Sequence, residues 1–193
     1  MSPQPPGPAY PLDNDEERLW RALQRMLVAL PRALDEDLLC ATGLSLTQYI
    51  VLAHLSEADG NSLRMTELAG AAALSASRIT RVVENLRDLG LVTKRRHCTD
   101  ARGYVAELTG AGRLRLAGAY PAHLASARRR VMDRLDPALV GRLAEQMQSV
   151  ADPLAAPCER GTGRRERPAA AVDGGCEEPP GHPDVAGYRE AVI

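Results

Sequence analysis

The sequence contains no phenylalanine, one tryptophan and only 3% aromatic residues, so its core cannot be built from packed rings. With 45% hydrophobic residues the core is instead assembled from alanine, leucine and valine. Alanine and leucine are strong helix formers, so a mainly helical chain is expected. No apolar run approaches the ~18 residues that a membrane-spanning helix needs, and the Pro-rich start, Met1 to Pro11, lacks the apolar stretch of a signal peptide. The four cysteines, Cys40, Cys98, Cys158 and Cys176, form neither a CxxC pair nor a dense framework. Reduced thiols in a cytoplasmic protein are the economical reading. No GxSxG, P-loop or HExxH motif occurs, and the four histidines are scattered, which speaks against catalysis. Cys158, Cys176 and His182 do not have the spacing of a compact metal site, so neither a metal nor a cofactor is expected.

A basic surplus is missing too: the formal net charge is −1 over 193 residues. That balance argues against nucleic acid only if charge is evenly spread, and here it is segregated. Arg78, Arg81, Arg87, Lys94, Arg95, Arg96 and Arg102 crowd one stretch, while acidic residues gather near both ends.

Local patterns divide the chain into a flexible leader over 1–11, one folded domain over 12–152 and a disordered tail over 153–193, where Pro, Gly and charge replace any apolar period. Asp13, with Glu16 three residues on, predicts a capped helix start. Leu19, Leu23, Met26, Leu27 and Leu30 make an apolar stripe, Pro31 predicts a kink or break, and Gly43 a stop. Thr47 is the expected cap of a second helix, with Leu46 and Val51 placed as a hydrophobic staple. Thr66 is the expected cap of a third, short helix, and Leu74 to Ser77 predict a turn. A fourth helix then buries Ile79, Val82, Val83, Leu86 and Leu89 and stops at Gly90. Leu91 to Arg95 and Tyr104 to Leu108 read as two strands around a polar turn at 97–103. Thr109 caps a long helix reaching Val131 and Leu135, with a bend expected at Pro121. Asp136-Pro137 opens a last helix carrying Leu139, Val140, Leu143, Met147 and Val150.

Helix, tight turn, helix and basic hairpin over 62–109 is a combination suited to duplex DNA, whose major groove admits one helix. Arg78 and Arg81 are the candidates for base or phosphate contact. Ser75, Ser77 and Thr80 are candidates for phosphate oxygens near the helix N-terminus. Arg95 and Arg96 are placed to hold phosphates, and Arg102 to enter the minor groove. The apolar stripes at Leu19–Leu30 and Leu139–Val150 exceed what one such domain can cover. A two-fold homodimer is therefore expected, with half-sites about 34 Å apart.

Several of these segments together resemble the MarR family of bacterial transcriptional regulators. They are Leu46-Thr47-Gln48-Tyr49, Met65-Thr66-Glu67-Leu68-Ala69, Ser75-Ala76-Ser77-Arg78, Leu86–Val92, Asp100-Ala101-Arg102-Gly103, Leu108-Thr109 and Gly112. The likeness is strongest over Leu44–Arg113 and extends in weaker form over 13–150. It implies a mainly α fold with a small β-hairpin wing, a winged helix-turn-helix dimerising through its N- and C-terminal helices. It further implies a recognition helix at about 76–89, a wing at about 95–104, and a palindromic operator as the double-stranded DNA partner. Arg102 takes the role of the wing arginine and Asp100 that of the aspartate orienting it. The family often sets a second arginine beside the first, and here Gly103 stands in that place.

The resemblance also implies a small anionic or phenolic effector, entering between the dimerisation helices and the DNA-binding lobe near Arg18, Trp20, Arg21, Arg25, Tyr49 and His54. Relatives binding urate-like ligands use an acidic residue in the second helix, and Gln48–Leu55 has none. The alternative is a thiol switch: Cys98 stands among Arg95, Arg96, His97 and Arg102, a setting that lowers a thiol pKa. Against it, peroxide-sensing relatives carry their cysteine in the first helix, where residues 13–39 contain none and Cys40 lies only at the far end.

Overall fold

The computed structural model describes residues 10–96 and 103–155. Cys98, Asp100, Arg102, Cys158, Cys176 and His182, with most of the expected leader and tail, lie outside the described residues.

Helix α1 runs Asn14–Thr42. Its start is fixed by a reciprocal cap: Asp13 Oδ1 accepts from the Asp15 and Glu16 amides at 2.8 and 2.9 Å, and Glu16 Oε2 accepts from the Asp13 amide at 2.9 Å. Gly43, at φ 72°, ends it by donating its N–H to the Leu39 carbonyl at 2.8 Å. Of the kink or break expected at Pro31, the break does not occur: the helix continues through it. A proline removes one backbone bond, and the extensive packing of α1 on a later helix, α5 (Gly110–Arg130), offsets that loss.

Helix α2 is Leu46–Glu57, and its cap is Ser45 rather than Thr47. Ser45 Oγ accepts from the Gln48 amide at 3.2 Å and Gln48 Oε1 from the Ser45 amide at 2.8 Å, so Thr47 already lies inside the first turn. Asp35 of α1 accepts the Leu46 N–H at 2.7 Å and ties the two helices.

A strand absent from the sequence reading follows: β1, Ser62–Arg64. Its three residues are too few to show an alternating pattern. It pairs antiparallel with β3 (Tyr104–Leu108), as does β2 (Val92–Arg96), so β3 is central in the order β1-β3-β2. The expected two-stranded hairpin is thus a three-stranded sheet. Leu63 opposes Ala106, and Arg96 opposes Tyr104.

Between β1 and β2 lie α3 (Met65–Ala71) and α4 (Ala76–Asp88). At the start of α3, Glu67 Oε2 accepts the Arg64 N–H at 3.1 Å, and Thr66, the expected cap, is already helical. Both helices end in the same hydrogen-bonded closure. After α3, Leu74 N–H reaches Ala69 O and Ala73 N–H reaches Gly70 O; after α4, Leu91 N–H reaches Leu86 O and Gly90 N–H reaches Arg87 O. Each closure needs one left-handed residue: Gly90, at φ 72°, meets that demand freely, whereas Ala73 is held at φ 51°. Leu89, expected on the buried face of α4, is instead the C-cap residue at the start of this closure and is 57% exposed.

Thr109 caps α5, which stops at Arg130 instead of reaching Leu135, and a single 3₁₀ turn at Met132–Arg134 follows. Pro121 lies within the helix. Asp136 Oδ1 accepts the Ala138 N–H at 2.9 Å, as a cap should. Helix α6 itself is Val140–Ala155, passing the expected boundary at 152 and enclosing Pro153.

Leu52, Leu55, Leu68, Ile79, Leu86 and Leu116 are among the fully buried side chains of a core between α2, α3, α4, the sheet and the first half of α5. The expected stripes lie elsewhere. Leu19, Met26 and Leu27 of α1, and Val140, Leu143, Met147 and Val150 of α6, are exposed. Helix α6 packs extensively against no other described element. Among the described residues no single helix is long and apolar enough to cross a membrane.

Candidate nucleic-acid interface

The buried side of α4 is set by Ile79, Val83 and Leu86, spaced four and three residues apart, so the opposite side is presented outward. Ser77, Arg78, Thr80 and Arg81 are on that exposed side. Arg78 and Arg81 form no ion pair among the described residues, and both guanidinium groups remain available to an external acceptor. The hydroxyls are more committed. Ser75 Oγ accepts the Arg78 N–H at 3.3 Å as the helix cap and lies 3.2 Å from Ser77 Oγ, and Thr80 Oγ1 donates to Ala76 O at 2.8 Å. These bonds leave lone pairs but direct the Thr80 proton into the helix.

The basic crowd seen in the sequence separates into two groups. Arg87 Nη1 lies 2.6 Å and Lys94 Nζ 2.7 Å from the two carboxylate oxygens of Glu84, and Arg95 Nε lies 3.0 Å from Glu107. The Lys94 hydrogen bond, reinforced by the Lys94 and Arg87 charges, holds the Glu84 carboxyl below the usual carboxylate range. Among the described residues Arg78, Arg81 and Arg96 make no such pair. Arg96 is exposed at the end of β2, while Asp100 and Arg102 lie outside the described residues.

Two cross-links set the attitude of α4. Gln48 Nε2 of α2 donates to Asn85 Oδ1 at 2.5 Å, and Lys94 joins β2 to Glu84. The sheet is in turn fastened to α5. Thr109 Oγ1 lies 2.8 Å from Gly90 O and 3.0 Å from Leu91 O, the Thr109 amide donates to Leu91 O at 3.1 Å, and Gly112 N–H donates to Thr109 Oγ1 at 2.9 Å. At the far end of α5, Arg129, Arg130 and Ser126 all donate to Asp37 of α1, with Arg129 at 2.7 Å and Arg130 Nη2 at 2.9 Å. The Arg130 hydrogen bond, then that of Ser126, drives the Asp37 pKa far below the ordinary value. This node gives α1 and α5 a fixed relative position.

The six residues expected around an effector do not form one pocket. Arg18, Arg21 and Arg25 line a surface groove of about 590 Å³ on α1 together with Asp15, and Trp20 is not in its lining. Tyr49 is only 5% exposed and stacks on His123 with ring centroids 4.4 Å apart. His54 Nδ1 lies 3.8 Å from Glu57 on its own helix. A different groove, of about 500 Å³, opens between α1, α2 and α4, lined by Pro31, Arg32, Asp35, Thr47, Arg78 and Val82 among others. The sequence reading missed it because its walls come from three elements up to fifty residues apart. It also missed His123, whose Nδ1 is buried without a hydrogen-bond partner among the described residues and whose pKa is lowered by burial. Nothing local to α5 marks that histidine as the partner of Tyr49. Cys40 is a free, exposed thiol near the end of α1.

Comparison with known proteins gives a consistent picture. The sequence profile described as the MarR family matches residues 42–103. The HTH-type transcriptional repressor YetL of Bacillus subtilis (strain 168) is 33% identical over 88 residues, 46% of this chain and 53% of YetL, so the match spans about half the length of that curated relative. Among solved structures, Sco3205 of Streptomyces coelicolor, a MarR family transcriptional regulator in complex with DNA, is 34% identical with a TM-score of 0.71, the match covering 80% of this chain and 96% of Sco3205. AbsC, a MarR family transcriptional regulator from the same organism, is 31% identical with a TM-score of 0.68, covering 76% of this chain and 98% of AbsC.

Proposed function

The chain belongs to the MarR family of transcriptional regulators, a family of DNA-binding proteins and not of enzymes, and on that premise we propose that it is a cytoplasmic, homodimeric repressor of a palindromic operator. The observation that carries this reading is the outward side of α4, where Arg78 and Arg81 stand exposed beside Ser77 and Thr80 and, among the described residues, without ion pairs. A helix N-terminal half with two such guanidinium groups suits the major groove, where arginine reads guanine through two bonds. Arg96 at the end of β2, and Arg95 once it leaves Glu107, are then assigned to the adjoining backbone, and Arg102 of the family motif to the minor groove. The DNA complex of Sco3205 supports the same use of the fold.

The exposed apolar sides of α1 and α6 support a homodimer, since a surface of this size on an isolated chain is a liability in water. Two-fold symmetry then sets two α4 helices about one turn of DNA, ~34 Å, apart. For the effector, the groove between α1, α2 and α4 is favoured over the six residues first expected, because Arg78 lines it. A small anionic or phenolic ligand held there draws Arg78 away from DNA, so ligand and operator compete for one side chain.

The test is binding of the full chain to duplexes tiled across the promoter beside its own gene, read by fluorescence anisotropy, with mass measured by light scattering. A dimer that selects one near-palindromic duplex over scrambled controls supports the reading. A monomer, or a dimer with equal affinity for every duplex, refutes it.

A further inference from the structure

Glu84 is an odd residue for the place it occupies. It stands three residues beyond Arg81 and four beyond Thr80, and no other acidic side chain belongs to α4 before its last residue, Asp88. A carboxylate there repels phosphate. It also binds both cations nearest to it: Lys94 Nζ at 2.7 Å and Arg87 Nη1 at 2.6 Å, with Arg87 Nη2 reaching Asp88 at 3.2 Å. Lys94, the only lysine in the chain, is turned inward rather than toward solvent. Its side chain is 16% exposed and its ammonium lies 4.8 Å from the centre of the Tyr104 ring. Two carboxylates and two cations thus form a locally neutral node between α4 and β2.

We infer that Glu84 is a specificity determinant: it withholds Lys94 and Arg87 from DNA phosphates and so holds down sequence-blind binding. The inference rests on the DNA-binding reading above. Non-specific affinity comes almost wholly from cations that neutralise phosphates and release counterions, and it carries no base information. Arg78 and Arg81, outward and without an ion pair among the described residues, are placed for both kinds of contact. Lys94 and Arg87 are not, for as long as Glu84 occupies them. In a loosely docked complex on random sequence, a released lysine or arginine turns to whichever phosphate is nearest. In an operator complex the base contacts fix the docking geometry, so the same release adds less. The carboxylate therefore widens the ratio between operator and random affinity, the quantity that decides occupancy against a genome of competing sites.

The experiment measures dimer affinity for operator and for a random duplex of equal length across a salt series, for the parent, Glu84→Gln and Lys94→Gln. Glu84→Gln is expected to tighten random-duplex binding and to steepen its salt slope by about 0.9 for each cation released, while the operator-to-random ratio falls. Lys94→Gln, which removes a cation that does not reach phosphate, is expected to leave the parent slope unchanged. An unchanged random-duplex slope in Glu84→Gln, or a shallower slope in Lys94→Gln, overturns the inference. So does a Glu84→Gln protein that loses operator affinity at constant random affinity, because Glu84 is then only a brace. If Glu84→Gln melts below the assay temperature, Lys94→Gln decides the matter alone. A parent protein that discriminates no duplex sinks the proposed function instead, so the two failures are separable.

Discussion

Gly112→Ala tests whether the sheet and α5 are as tightly joined as the structure indicates. A Cβ built on Gly112 lies 2.1 Å from the Leu91 carbonyl oxygen and 2.7 Å from Leu108 Cδ1, where ordinary contact begins near 3.4 Å. The Leu108 methyl can rotate aside; the Leu91 oxygen is backbone and moves only if β2 or α5 moves. Overpacking of this kind costs about 1–3 kcal/mol. Displacing Leu91 O also weakens its two bonds with Thr109, at about 0.5–1.5 kcal/mol each. The combined loss is about 2–6 kcal/mol, a large part of the stability of an ordinary domain. The melting temperature should fall by roughly 10 °C, followed by circular dichroism. Val92, the first residue of β2, follows Leu91 directly, so operator affinity measured well below the melt should weaken as well. Gly70→Ala is the control: nothing lies within 4 Å of its Cβ, and a helical glycine replaced by alanine gains about 0.5–1 kcal/mol. A Gly112→Ala protein melting within 2 °C of its parent, at unchanged operator affinity, would show that the junction yields and would refute the reasoning.

Arg81→Ala should cost about 1–3 kcal/mol of operator binding and relax selectivity at one position per half-site; a uniform loss over all operator variants makes Arg81 a phosphate contact instead. Ala73→Gly removes a left-handed alanine, worth about 1–2 kcal/mol, against the roughly 0.4–1 kcal/mol that glycine adds to unfolded-chain entropy. Urea melts should accordingly show a small gain in stability, and a loss would mean the Ala73 methyl is needed for packing. Asp37 has a folded pKa below its unfolded value of about 3.9, so its contribution is complete above that pH and is lost progressively as pH falls further. The stability difference between parent and Asp37→Asn should therefore be flat above about pH 5 and shrink in acid; a difference that grows on acidification contradicts the assignment.

Helix ends were the most legible feature of the sequence, because a cap is decided within four residues. The Asp13–Glu16 box, the Gly43 and Gly90 stops and the Thr109 cap all follow from adjacent side chains. Strand β3 was legible from its alternation and β2 to within a residue. Near misses had near causes: Ser45 outcompetes Thr47 as a cap because its partner Gln48 is correctly spaced, and Leu89 is the C-cap of α4, past its last packed turn.

What the sequence by itself determined was the mainly helical architecture, the stretch in which basic side chains collect, and the amphipathic stripes that one folded chain leaves uncovered. The tertiary structure alone decided that α1 passes through Pro31 unbroken and that Ser62–Arg64 completes the sheet. It alone decided that His123 meets Tyr49, and that Lys94 and Arg87 serve Glu84. Local rules see neighbours three or four residues away. The partner of a charge is set by which elements the fold lays side by side: Asp37 finds Arg130 across 93 residues, and no pattern in either segment announces it.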